Sequence, residues 1–129
     1  MTNQGDFTAG DVLTAADLNA FTQVTVCSNT FSVPNGTNTT INFSTELVDV
    51  GGWHSGTSAN ITPDVDGIYL MTANALSTDS NDRALINLLV DGVKVASTDD
   101  RYSGFDLSLA VHYPITAGQN VSLVCYQHP

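Results

Sequence analysis

Apolar residues recur at every second position through most of the chain, in short runs that end at turn-forming residues. The clearest run covers residues 105–113 and reads FDLSLAVHY, where large apolar side chains alternate with Asp, Ser, Ala and His. Alternation with a period of two is typical of a strand that buries one face. Residues 67–77 (GIYLMTANALS) are apolar almost throughout, which predicts a central strand buried on both faces.

The turns between these runs favour antiparallel pairing. Asp91-Gly92 separates the apolar runs 84–90 and 93–96 and predicts a hairpin with a type I′ turn. Pro34-Asn35-Gly36 predicts another turn. Eight or more short runs of this kind, with no second helix signal, indicate an antiparallel β-sandwich or barrel. The predicted fold class is therefore all-β.

Residues 1–22 follow a different pattern. Thr14-Ala-Ala-Asp17 resembles the capped start of a helix, and the helix formers that follow predict about two helical turns. Because so short a helix is unstable alone in water, its apolar residues need a surface to cover them. They are Phe7, Val12, Leu13, Leu18 and Phe21. The segment either folds back on its own domain or docks on a neighbour. We favour an attachment arm (1–22) ahead of one head domain (23–129).

The charge balance excludes several classes of partner. The chain has 3 Lys or Arg against 13 Asp or Glu, a net charge of −10. These cations are too few to neutralise nucleic-acid phosphates or to bind an anionic membrane. No apolar run approaches the ~20 residues that span a bilayer, and the first residues lack the pattern of a signal peptide. We expect neither a nucleic-acid nor a membrane partner.

No arrangement of residues predicts catalysis. The three histidines lack metal-ligand spacing, and no Gly-x-Ser-x-Gly elbow occurs. Cys27 and His112 have no electropositive neighbour that would lower the thiol pKa. Cys27 and Cys125 are expected to be reduced, with a disulfide as the alternative. We therefore expect a protein that is not an enzyme and has no catalytic residues.

Pairs of aspartates in predicted loops raise one question about cofactors. The pairs are Asp64 with Asp66, Asp79 with Asp82, and Asp99 with Asp100. Calcium takes about six to eight oxygen ligands, often from loop carboxylates, so a bound calcium ion is one interpretation. Solvated charge that keeps strand edges of different copies apart is the favoured one. We expect no cofactor and no metal ligands.

Three segments resemble one family in their order and spacing. GWHSGTSANITPDVDGIYLMTANA (52–75) is similar to the signature of the complement globular-head domains. In that signature an aromatic residue precedes a Gly-containing turn, and an apolar-Pro-x-x-x-Gly-x-Tyr segment enters a buried strand. LINLLVDGVKVAS (85–97) and FDLSLAVHYPITAGQNVSLVCY (105–126) are similar to the family's later strands. The resemblance covers about residues 40–126.

This family shares the tumour-necrosis-factor-like fold. The resemblance implies an antiparallel jelly-roll sandwich of ten strands, whose first and last strands are neighbours, assembled as a homotrimer. Neighbouring terminal strands would bring Cys27 and Cys125 close together. One face of residues 105–113 would then lie against either solvent or a subunit. That face carries Asp106, Ser108, Ala110 and His112.

The N-terminal segment resembles a different group of proteins. GDFTAGDVLTAADLNAF (5–21) is similar to the aromatic-x-x-Gly-x-x-Leu-Thr-Ala-x-x-Leu-Asn segments that open many bacteriophage fibre and virion proteins. Such segments attach a distal β domain to the particle. The resemblance implies that residues 1–22 fasten the head domain to a virion.

Together these features predict a bacteriophage virion structural protein, assembled in the bacterial cytoplasm. We favour a capsid decoration, or cement, protein, whose partners are its own copies and the major capsid protein. The alternative is the receptor-binding tip of a tail fibre, with a tail protein as partner. The candidate contacts of that tip are Trp53, Asp82, Arg83, Arg101 and Tyr102. For Trp53, a packing role is the competing interpretation.

Overall fold

The protein is an antiparallel all-β structure in the part of the chain that can be described. The computed structural model describes residues 9–10, 12, 14–15, 24–76, 84–100 and 106–127. These residues form eight strands: β1 (Thr25–Ser28), β2 (Thr39–Thr40), β3 (Thr45–Asp49), β4 (Gly67–Leu76), β5 (Ala84–Val90), β6 (Val93–Asp100), β7 (Asp106–Ile115) and β8 (Val121–Gln127).

The largest sheet has four strands in the order β2-β8-β5-β6, with every pair antiparallel. Strand β5 lies in its centre and pairs along its whole length with β8 on one side and β6 on the other. Its seven residues alternate between buried and half-buried positions. This is the burial expected where one face of a central strand meets the core and the other is only partly covered.

Two further pairs of strands complete the structure. Strands β4 and β7 pair over ten residues, from Gly67 opposite Ile115 to Leu76 opposite Asp106. Strands β1 and β3 form a short ribbon with a register shift between Val26 and Cys27. The ribbon leads through a loop into β4, so its position bears directly on the surfaces described below.

The core lies between the four-stranded sheet and the β4–β7 pair. Its buried residues are Ile41, Ala84, Ile86, Leu88, Val90, Leu107, Ile115, Val121, Leu123 and Cys125. Ile86, at the middle of β5, has no exposed surface. Tyr69, Met71 and Leu109 from β4 and β7 pack against this cluster. Two layers around one apolar core form a β-sandwich, in agreement with the all-β antiparallel prediction.

The predicted hairpin turn is confirmed. Asp91 has φ = 49° and Gly92 has φ = 77°, the positive values at both central residues that define a type I′ turn. Asp91 is the one non-glycine residue with positive φ in the described part of the chain. Aspartate tolerates this left-handed conformation better than most residues, so the sequence matches the geometry locally.

The prediction that residues 67–77 form a strand buried on both faces is wrong. In β4 the exposure alternates, and Ile68, Leu70 and Leu76 point outward with 70%, 62% and 76% of their surface exposed. The inner residues Tyr69, Met71, Ala73 and Ala75 pack against the core. Within the described residues, no strand layer covers the outer face, so its apolar side chains remain at the surface.

The terminal strands do not pair as the family resemblance implied. Strand β1 pairs with β3, whereas β8 lies between β2 and β5. Cys27 and Cys125 therefore belong to different sheets, and both are free thiols. Burial raises the pKa of the Cys125 thiol to about 11, so this thiol is an unreactive part of the core.

Most of the expected attachment arm falls outside the described residues, including Phe7, Leu13, Leu18, Phe21 and the two predicted helical turns. Val12 is described and is 80% exposed. Among the described residues, no helix has the length and apolarity needed to cross a bilayer.

Replacing Ile86 with alanine tests the core. Because Ile86 is fully buried at the centre of β5, the Ile86→Ala protein should lose about 2–5 kcal/mol of unfolding free energy. Urea denaturation followed by circular dichroism measures this loss. Val93→Ala, at an exposed position on β6, is the control and should change stability by about 0.5 kcal/mol or less. Equal losses in both variants would contradict this description of the core.

Candidate functional site

A polar corner joins the β1–β3 ribbon to the loop that follows it. The carboxylate of Asp49, the last residue of β3, accepts three hydrogen bonds. They come from the hydroxyl of Thr25 (2.8 Å), the backbone N–H of Trp53 (2.9 Å) and the backbone N–H of His54 (3.1 Å). The loop reaches this position through a tight bend at Gly52, where φ is 69°. One side chain thus fixes both the ribbon and the start of the loop.

The ring of His54 is enclosed and contacts two acceptors. Its side chain has no exposed surface. Nδ1 lies 2.7 Å from Oε1 of Glu46, and Nε2 lies 2.8 Å from the carbonyl oxygen of Ser58. A carboxylate and a carbonyl only accept hydrogen bonds, and neutral imidazole carries a single N–H. Both contacts are satisfied together only when His54 is an imidazolium cation.

The charges around the ring favour that cation. Burial alone would lower the pKa of His54, but its hydrogen bonds to Ser58 and Glu46 and the charges of Glu46 and Asp49 raise the pKa above 6.5 overall. Burial likewise opposes ionisation of Asp49, yet the hydrogen bonds it accepts hold the pKa of this carboxyl below its usual value. The corner therefore places the ring between the Glu46 carboxylate and the Ser58 carbonyl, with the charge of Asp49 nearby, and this arrangement favours the cation.

Trp53 lies beside this corner and faces inward. Its indole Nε1 donates a hydrogen bond to Asp64 (2.9 Å), and its ring packs edge-on against Tyr69 with the centroids 5.5 Å apart. The hydroxyl of Tyr69 donates in turn to the carbonyl of Val65 (2.6 Å). Trp53 is only 7% exposed. This leaves almost no ring surface for a receptor and matches the packing interpretation.

The corner is arranged to hold the chain in place. The imidazole of His54 has no free nitrogen and no access to solvent. Burial and the charges of Glu46 and Asp49 raise the pKa of the nearby Cys27 thiol, the opposite of what activates a nucleophile. Sequence reasoning missed this corner because it compared the histidines with each other and not with the carboxylates of β3.

The loop aspartates that suggested calcium have other partners in the described structure. Asp64 accepts from the Trp53 indole, and Asp66 accepts from the backbone N–H of Ala117 at 2.7 Å. Among the residues described, no cluster of three or more His, Cys, Asp or Glu is placed to hold a metal ion. Asp79, Asp82, Arg83, Arg101 and Tyr102 lie outside the described residues.

The β1–β3 ribbon exposes four valines on one face. Val26 and Val48 are cross-strand partners, and the N–H of Val50 donates to the carbonyl of Val24 at 3.1 Å. We call Val24, Val26, Val48 and Val50 the valine face; they are 41–57% exposed. The opposite face of the ribbon carries Thr25 and Asp49, which bind each other in the corner. This contiguous apolar patch is a candidate interaction surface.

A second apolar surface lies on the outer side of the β4–β7 pair. Ile68 and Leu70 project there beside Pro114 and His112, their partners on β7. From the alternation alone, this face of β7 could meet either solvent or a subunit. The register shows that the exposed residues of β4 pair with the small and polar residues of β7. This pairing could not be predicted from local sequence, because the two strands are far apart in the chain.

Comparison of the chain with protein-family models and with curated proteins finds no match. The class of the protein therefore rests on its β-sandwich, its buried corner and its exposed strand surfaces.

The His54 contacts make stability depend on pH in a defined direction. Because the pKa of folded His54 is raised, its contribution is fully present below about pH 6.5, the unfolded value, and is lost as pH rises through the folded pKa. Replacing the ring by His54→Gln should lower the free energy of unfolding by about 1–3 kcal/mol at pH 6. The loss should shrink toward pH 9.

Urea titrations at several pH values, followed by the fluorescence of Trp53, the single tryptophan, measure this dependence. The pKa of both cysteine thiols is raised in the folded protein, so they also affect stability at high pH, but they are present in both proteins, and the difference between the proteins isolates His54. His112→Gln is the matched control at an exposed position and should keep the native pH profile. A pH-independent difference between native protein and His54→Gln would show that the ring is not a cation.

Proposed function

We propose that this protein is a structural component of a bacteriophage virion, a trimeric jelly roll displayed on the particle and attached through residues 1–22. Of the two locations in the virion we favour the capsid, where the protein would act as a decoration protein bound to the major capsid protein. The phage assignment depends on the resemblance of residues 5–21 to virion attachment segments.

The observation that best supports an assembly role is the valine face. It lies on the ribbon that directly follows the attachment arm in sequence, and all four of its side chains are at least 41% exposed. Burying apolar surface is favourable by about 25 cal/mol per Å², so such a patch gains most from a permanent neighbour. We assign the valine face to the contact between copies in the trimer.

The charge of the chain suits repeated display on a particle. A net charge of −10 keeps copies apart wherever their charged surfaces would meet. Three arms on one trimer then bind with an effective concentration that multiplies modest single contacts. Strong attachment therefore needs no single high-affinity pocket, and no such pocket is required of the head domain.

Deleting residues 2–21 separates attachment from folding. The shortened protein should keep the β-rich circular dichroism spectrum and the number of chains of the native assembly, because the strands and the valine face are retained. When it is added to virions assembled without this protein, the shortened protein should stay in the supernatant after sedimentation. The full chain should sediment with the virions. Undiminished particle binding by the shortened protein would contradict the role of the arm.

Immunogold labelling of virions distinguishes the two locations. Label over the capsid supports decoration, and label confined to the tail supports the alternative, a tail-fibre tip.

The trimer is tested at the valine face. Threonine has nearly the shape of valine but adds a hydroxyl, so Val26→Thr with Val48→Thr should weaken an apolar contact without opening a cavity. Light scattering of the native protein at micromolar concentration should give three chains or a multiple of three, and the double variant should lose the threefold assembly. A control pair, Thr40→Val with Thr98→Val, lies outside the valine face and should leave the mass unchanged. A native protein that is monomeric would contradict the trimer.

A further inference from the structure

We propose that the free edge of β4 pairs with the same edge of a second copy of this chain. The two β4 strands would run antiparallel about a twofold axis at Thr72 and join the β4–β7 pairs of both copies into one sheet. This contact goes beyond the proposed function and does not rest on it, because it uses different residues and a different symmetry from the valine face.

The edge is long and open. Strand β4 has ten residues and pairs in the described structure with β7 alone. Alternate residues of a strand direct their N–H and C=O groups to each side, so about half of the backbone groups of β4 face the open edge. A row of such groups is a template for another strand.

The other strand edges carry features that hinder pairing, and the edge of β7 that faces away from β4 carries Asp106 and Pro114. Strand β6 has Lys94 and Asp99 among its side chains, and its register with β5 is irregular between Leu88 and Leu89. Strand β2 has only two residues, and the β1–β3 ribbon contains a register shift. Short strands, charges and bulges are the usual protections of an edge. Strand β4 has an uninterrupted register and no charge or proline.

The charge of the chain limits which surface of a second copy can meet this edge, and the self-complementary sequence of β4 favours a second copy as the occupant. Two copies with a net charge of −10 each repel each other unless they meet through uncharged surface. Among the strands of five or more residues, β4, β5 and β8 carry no charged side chain. Strands β5 and β8 are already hydrogen-bonded on both sides. The uncharged strand with an available edge in a second copy is β4 itself.

The sequence of β4 is complementary to its own reverse about Thr72. In this register Tyr69 lies opposite the second copy's Ala75, and Met71 lies opposite the second copy's Ala73, so on the core side a large residue meets a small one each time. On the outer side Ile68 lies opposite Leu76 of the second copy. The first two pairings alternate large with small, as tight packing requires, and the third covers two of the most exposed apolar residues.

Thr72 lies on the proposed axis and provides the sharpest test. In Thr72→Lys two lysines would lie directly opposite each other, and like charges at opposed positions of a sheet are destabilising. Because the lysine also reduces the net negative charge, general repulsion between copies falls, and only a contact at Thr72 explains dissociation. Light scattering at micromolar concentration should show the mass of the native assembly halved.

Three controls accompany this variant. Ser108→Lys places the same charge on the same outer face but on β7, and it should keep the native mass. Thr72→Val keeps the strand preference and should keep the pair. Mixing Thr72→Lys with Thr72→Glu protein should restore the lost mass as a mixed pair, since opposite charges then meet on the axis. Circular dichroism and urea midpoints confirm that each variant is folded.

The mass of the native protein distinguishes this contact from the trimer. The pair alone gives two chains, the trimer alone three, and both together give six when the twofold and threefold axes cross at right angles. A mass of one or three chains overturns the pair, and so does an unchanged mass in Thr72→Lys. If the deletion of residues 2–21 pairs while the full chain does not, the arm of the same chain covers the edge, and the proposal is likewise overturned.

Discussion

The register between β5 and β8 is the constraint on which the rest of the structure depends. It places three buried residues of β5 opposite three buried residues of β8: Ile86 with Cys125, Leu88 with Leu123, and Val90 with Val121. A shift of one residue in either strand would turn the buried side chains of that strand out of the core. Strands β7 and β4 pack on this same face. The β5–β8 register therefore also decides which side chains of β4 and β7 point inward and which form the outer surface.

A series of polar contacts connects the core to the β1–β3 ribbon at the surface. Asp49 binds the backbone of Trp53, whose ring packs on Tyr69 of β4. His54 ties Glu46 of β3 to the loop carbonyl of Ser58, which also accepts from the N–H of Phe43. The ribbon that carries the valine face is thus held by buried charged hydrogen bonds, which are stronger and more directional than neutral ones. A rigid backing lowers the entropic cost of binding at this apolar surface.

Local features of the sequence predicted structure better than distant ones did. The Asp91-Gly92 turn and the alternation in β7 depend on neighbouring residues, and both predictions agree with the structure. The outer face of β4 was misjudged because Ile68 and Leu70 resemble core residues, and only the sheet arrangement shows that the described chain does not cover them. The His54 corner was not predicted, because the bend at Gly52 brings its residues together. A spacing rule for metal ligands does not detect a histidine that pairs with a carboxylate in this way.

The symmetry of the two proposed contacts explains how a protein with an exposed apolar strand could avoid aggregation through that strand. An open edge that pairs with a different edge propagates into a fibre, whereas a twofold contact between identical edges closes after two copies. The outer edges of the joined sheet belong to β7, which carries Asp106 and Pro114, and the remaining edges of the described strands are short, charged or bulged, so further pairing is hindered. In the proposed trimer, the contact through the valine face closes in turn around a threefold axis. Acidic charge outside these two surfaces then limits association to contacts that close.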